Sequence, residues 1–163
     1  MDDPDDGPYA RAPRIADLAR ICGALNDAGA RYLLIGGFAV IAHGAGRTTQ
    51  DIDLLVDDDP DNVARVTSAL SILADHASRD VAPEDVRNYT VVRIADEVVV
   101  DLMGRACGVT YHDAAADAET FVIEGVDVPV ASKRTLIRTK ETVRPSDLAD
   151  RQYLQTRLDE ERR

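Results

Sequence analysis

The sequence predicts an α/β (α+β) chain, with one mixed β-sheet and helices packed against it. Helical stripes of apolar residues alternate with short apolar runs of strand length. Two pairs of those runs lie close enough to form hairpins, which argues against a purely parallel sheet. The chain has 163 residues, 45% of them hydrophobic, which suits one domain with a single sizeable core.

Residues 1–12, which open on "MDDPDDGP", read as a disordered acidic tail, and 13–163 as the folded domain. In "APRIADLARICGALNDAG", Ile15, Leu18, Ile21, Cys22 and Leu25 form a helical stripe closed by Gly29. "RYLLIGG" is a short buried strand ending at a double glycine, and "FAVIAHG" a short helix stopped by Gly44 and Gly46. "DIDLLVD" is the next strand. "DPDNVARVTSALSILADH" starts on an aspartate cap and reads as one helix. "NYTVVRIA" and "EVVVDLMG" are two strands around a tight turn near Asp96, and "HDAAADAE" is a short helix. "TFVIEGVDVPVA" is a pair of strands around Gly125. Ser132 is placed to cap a helix running to about Thr142, and Ser146 to cap the last one.

Composition bounds the function. Net charge is −11, so the global field does not attract nucleic acid, and a polyanion has to be held locally by arginines or metal ions. Lys133 and Lys140 are the only lysines. No signal peptide is visible, and the longest apolar stretch, "YLLIGGFAVIA", is short of the roughly 20 residues a membrane helix needs. Cys22 and Cys107 are a poor basis for a disulfide, and a cytoplasmic location is expected.

Asp51 and Asp53 sit inside an apolar strand. Side chains alternate along a strand, so the two share a face, with Cα atoms roughly 6.5–7 Å apart. Carboxylates on one face suit a hard cation. Asp101, in the apolar strand "VVVDLMG", is the natural third ligand. Each of these features alone has a structural explanation: a solvated strand face, an ion pair, an ordinary glycine turn. Their combination is what points to phosphoryl or nucleotidyl transfer. Gly36 and Gly37 end a strand and begin a helix, a turn that offers backbone N–H groups to phosphate. His43, His76 and His112 have no ligand spacing and read as structural, as does "DDDPD", a turn and helix cap.

"LIGGFAVIAHGAGRTTQDIDLLV" resembles the signature of the nucleotidyltransferase superfamily with the DNA polymerase β-like fold. The run Arg47, Thr49, Asp51 and Asp53 resembles its AbiEii-like group, associated with bacterial toxin–antitoxin and phage-defence systems. "LIRTKETVRPSDLADRQYL" is similar to that group's later motif through Lys140, Arg144, Asp147 and Asp150, with Ser146 where the group has lysine.

The resemblance implies a minimal nucleotidyltransferase fold and transfer of an NMP from an NTP to an acceptor hydroxyl. It implies two Mg²⁺ ions on Asp51, Asp53 and Asp101, the last also acting on the attacking hydroxyl. Gly36, Gly37, Arg47, Thr49, Lys140 and Arg144 would hold the nucleotide. The acceptor is an RNA 3′ end, a protein hydroxyl or a small molecule such as an aminoglycoside. The basic stretch Lys133, Arg134, Arg138, Lys140 and Arg144 is the surface expected beside the nucleotide. Longer relatives carry a large helical C-terminal domain. Acceptor recognition is therefore expected from a cognate toxin or antitoxin partner or from a second copy in a homo-oligomer. The alternative is a catalytically weak or inactive member of the fold that acts as a binding module.

Overall fold

The structure, a computed structural model, describes residues 10–163. The tail expected at the N-terminus lies mostly outside the described residues. Arg11 already belongs to the fold: its guanidinium donates to both Asp17 carboxylate oxygens at 2.7 Å, and its backbone N–H to the Glu97 carbonyl at 3.0 Å.

A six-stranded mixed sheet is the centre of the molecule. Helix α1 (Ile15–Asp27) leads to strand β1 (Tyr32–Ile35), helix α2 (Gly36–Ala42), strand β2 (Asp51–Val56) and helix α3 (Pro60–Leu70). A 3₁₀ turn (Ala77–Asp80) and helix α4 (Asp85–Asn88) precede strands β3 (Val92–Ala95) and β4 (Val99–Met103). A small hairpin, β5 (Arg105–Ala106) with β6 (Val109–Thr110), is followed by helix α5 (Tyr111–Ala115) and strands β7 (Glu119–Ile123) and β8 (Val126–Val130). Helices α6 (Lys133–Thr139) and α7 (Pro145–Glu161) close the chain.

The spatial order is β3-β4-β2-β1-β8-β7. β2 runs parallel to β4 and antiparallel to β1, while β8 runs parallel to β1. The β3–β4 and β7–β8 pairs are antiparallel hairpins, as their short connections require. The second turns through Glu124 and Gly125, both with positive φ, the backbone of a tight two-residue hairpin. The core is aliphatic: Leu34, Ile52, Leu54, Val100 and Leu102 from the sheet meet Leu18, Ile21 and Leu25 of α1 and Val63, Val66 and Leu70 of α3.

Some boundaries differ from those expected. Ile15, counted in the α1 stripe, is exposed at the helix start. The helix expected through His76 ends at Leu70, where the N–H groups of Ser71, Ile72 and Leu73 turn to carbonyls three residues back; beyond it the buried Asp96 carboxylate takes the N–H groups of Asp75 at 2.8 Å and Ala77 at 2.9 Å. Those donors turn toward the carboxylate instead of a helical carbonyl. α6 stops at Thr139 instead of reaching Thr142, with Ser132 capping it at the Thr135 N–H as expected. α7 opens on Pro145 at its first turn, with no side-chain cap; Ser146 lies within the helix.

Candidate active site

Sheet register builds the site. Asp53 of β2 lies opposite Asp101 of β4, and Asp101 lies opposite Arg93 of β3. Paired residues share a face, so three neighbouring strands present Arg93, Asp101 and Asp53 in one row, with Asp51 two residues up β2. Carboxylate oxygens of Asp51, Asp53 and Asp101 all fall within 4.8 Å of one another. Asp101 is buried, and Asp51 and Asp53 are half-buried.

Three carboxylates this close repel. Burial first, then the Asp51 and Asp101 charges, push the Asp53 carboxyl up to about 7, against the weaker pull of Lys140 and Arg93. An all-oxygen, anionic donor set of this kind could hold a hard divalent cation.

The double glycine is sterically required. Gly36 has φ +72°, and a Cβ on it would sit 2.0 Å from Asp53 Oδ2. A Cβ on Gly37 would come 2.6 Å from Thr49 Oγ1. The turn between β1 and α2 therefore packs backbone directly against the carboxylate strand and the loop before it.

A cleft of about 430 Å³ opens over this row. Gly36, Gly37, Arg47, Thr49, Lys140 and Arg144 all line it together with the three aspartates. Lys140 is buried, its Nζ 3.0 Å from Asp150 and 3.6 Å from Asp147. Arg47 also pairs with Asp150, so one buried carboxylate of α7 ties the loop before β2 to the end of α6. Thr142 donates to Asp147 at 2.6 Å.

The continuous basic surface expected from residues 133–144 does not form. Lys133 pairs with Glu161 at 2.7 Å and Lys140 turns inward; of that stretch's cations, Lys140 and Arg144 line the cleft. A helix distributes its side chains around the axis, so charges close in sequence do not share one face.

Two residues of the site escaped the sequence reading. Arg93 donates from Nε and Nη2 to the two Asp101 oxygens at 3.0 and 3.1 Å, and from Nη2 to Asp51 at 3.3 Å. Its only signal was a charge between valine and isoleucine in "TVVRIA". Asp150 stood in the C-terminal motif but was not expected as the common partner of Arg47 and Lys140.

None of the three histidines lines the cleft. His43 is buried, with Nε2 2.9 Å from the Ala131 carbonyl and its ring edge-on to Phe121. His76 bonds the Ser71 carbonyl, and His112 reaches Asp57. Asp59 of "DDDPD" caps α3, and Asp57 pairs with Arg31.

The sequence pattern of the family described as aminoglycoside-2''-adenylyltransferase matches residues 17–154, most of the chain. The chain belongs to the aminoglycoside-2''-adenylyltransferase family. That places it in the nucleotidyltransferase superfamily that its glycine pair and Asp-x-Asp strand resemble. The matched span of this adenylyltransferase family contains all three aspartates, both glycines, Lys140 and Asp150. Among solved structures, the chain is similar to a Thermotoga maritima protein described as a candidate nucleotidyltransferase. The TM-score is 0.56 at 14% identity, over 90% of this chain and 92% of that one, a likeness that speaks for the fold. No curated protein matches. Among the described residues, no helix is long and apolar enough to cross a membrane.

Proposed function

We propose that this chain is a magnesium-dependent nucleotidyltransferase that moves an NMP from an NTP to an acceptor hydroxyl. The observation that carries the reading is the convergence of Asp51, Asp53 and Asp101 within 4.8 Å, beside a glycine turn that admits no side chain. The acceptor oxygen attacks the α-phosphorus, the bond to the pyrophosphate oxygen breaks, and pyrophosphate leaves. Asp51, Asp53 and Asp101 would hold two Mg²⁺ ions, which supply charge neutralisation on the attacking and leaving oxygens. Asp101 accepts or orients the proton of the attacking hydroxyl. Lys140 meets the β- and γ-phosphates, and Gly36 and Gly37 let the backbone approach the triphosphate. Arg47, Thr49 and Arg144 line the nucleotide side of the cleft.

The family description and the net charge of −11 favour a small polycationic acceptor of the aminoglycoside type, with ATP as donor. The AbiEii-like motif supports instead an RNA 3′ end or a protein hydroxyl, in a toxin–antitoxin setting with a cognate partner. The test is incubation of the chain with each α-labelled NTP and Mg²⁺ in three arms: an aminoglycoside, total RNA, and cell-extract protein. Label is expected in one acceptor class and from none with Asp53→Asn. A wild-type chain that neither labels an acceptor nor binds Mg-NTP by calorimetry would sink the reading.

One observation favours the second reading, a catalytically weak binding module. Arg93 already pairs with two of the three carboxylates. Under that reading, calorimetry detects no Mg-NTP binding and the fold is unaffected by Asp53→Asn.

A further inference from the structure

Arg93 engages Asp101 through both carboxylate oxygens, leaving neither without a charged donor. The same Nη2 also reaches Asp51, so one guanidinium spans the outer two of the three carboxylates. A bidentate arginine–carboxylate pair is among the stronger charge-assisted contacts. A metal ion bound by Asp101 would share an oxygen that already accepts from Arg93, and the two positive charges would repel across it.

Its position makes Arg93 displaceable. It stands on β3, the first strand in the sheet order, and its side chain is 34% exposed. Both carboxylate strands, by contrast, are interior to the sheet and their backbone is fixed by neighbours on either side. When a divalent ion enters, the movable partner is the arginine, which can turn its head group to solvent while its strand stays paired.

We propose that Arg93 is a built-in counter-cation of the three-carboxylate centre, holding it together without metal and giving way when metal binds. Arg93 thereby sets the metal concentration at which the centre loads. It lowers metal affinity and stabilises the unloaded protein, two effects of one ion pair that must change together when it is removed. The inference rests on the metal-dependent reading of the site. The competing role for such an arginine is to orient Asp101 as a ligand, and that role has the opposite sign: removing it weakens metal binding.

The experiment is Mn²⁺ titration of the full chain, with free Mn²⁺ read by electron paramagnetic resonance, for wild type, Arg93→Gln, Arg93→Lys and Asp53→Asn. Arg93→Gln should bind Mn²⁺ about two- to fivefold more tightly, the range of one partly exposed ion pair. Its melting temperature without metal should fall below wild type and recover on adding Mn²⁺. Arg93→Lys keeps the charge but loses the fork, so it should fall between the two; it also carries the test if Arg93→Gln does not fold. Equal or weaker Mn²⁺ binding by the Arg93 variants, with binding lost in Asp53→Asn, overturns the counter-cation role and leaves the metal site standing. Absence of Mn²⁺ binding in wild type and Arg93 variants alike overturns the metal site itself, and this inference with it.

Discussion

The Gly36 backbone lies so close to the Asp53 carboxylate that a methyl group cannot be placed between them. The turn that starts α2 and the strand that carries the acidic pair are thus one unit. Gly36 also adopts φ +72°, a left-handed conformation that costs other residues about 1–2 kcal/mol. We predict that Gly36→Ala lowers stability by at least that amount in urea denaturation and disturbs metal binding as well. A variant with unchanged midpoint and unchanged Mg-NTP affinity would show that the contact is dispensable.

Asp53 should make the metal-free protein pH-sensitive. Its folded pKa is raised, so the folded state holds a proton that the unfolded state releases. The contribution to stability is therefore full below about pH 4 and is lost as pH rises toward about 7. Asp53→Asn removes that slope, and the variant should be more stable than wild type near pH 8 without metal. It should also lose Mg-NTP binding. Parallel stability–pH curves for the two proteins would contradict the repulsion argument.

Lys140 is predicted to discriminate nucleotides by their outer phosphates. Lys140→Ala should weaken NTP binding more than NMP binding, because the β- and γ-phosphates carry the charge it meets. The same change strips Asp150 of one of its two cations. Breaking a buried pair costs about 3–5 kcal/mol, so a stability loss of up to that size is expected, reduced because Arg47 remains. Calorimetry with both nucleotides decides the point: equal losses place Lys140 away from the outer phosphates.

Asp101→Asn should lower turnover far more than nucleotide affinity. In the proposed transfer, Asp101 acts on the attacking hydroxyl, an interaction stronger in the transition state than in the ground state. A ratio of kcat to KM effects dominated by KM would instead make Asp101 a nucleotide-holding residue. Steady-state kinetics against varied NTP separates the two.

Much of this architecture follows from local rules that a sequence displays. Alternation along β2 puts Asp51 and Asp53 on one face wherever the strand lies in the sheet. Positive φ at Glu124 and Gly125 makes the β7–β8 hairpin, and Ser132 and Asp59 cap their helices through bonds spanning two or three residues. Side-chain capture of backbone donors was less visible: Asp96 holds the segment after α3 from about twenty residues away in sequence, which no periodicity records.

The sequence by itself determined the acidic pair on one strand face, the glycine turn at the start of α2 and the order of the longer elements; the 3₁₀ turn, α4 and the β5–β6 hairpin, too short to show a periodicity, were not legible in it. Only the tertiary structure decided that Asp101 stands level with Asp53, that Arg93 stands level with Asp101, and that Lys140 is buried against Asp150 instead of lying on a basic surface. Those relationships join strands and helices far apart in the chain. Their register is set by which apolar faces of β2, β4 and β3 pack into the common core, and a one-residue slip would send every carboxylate to the opposite side of the sheet.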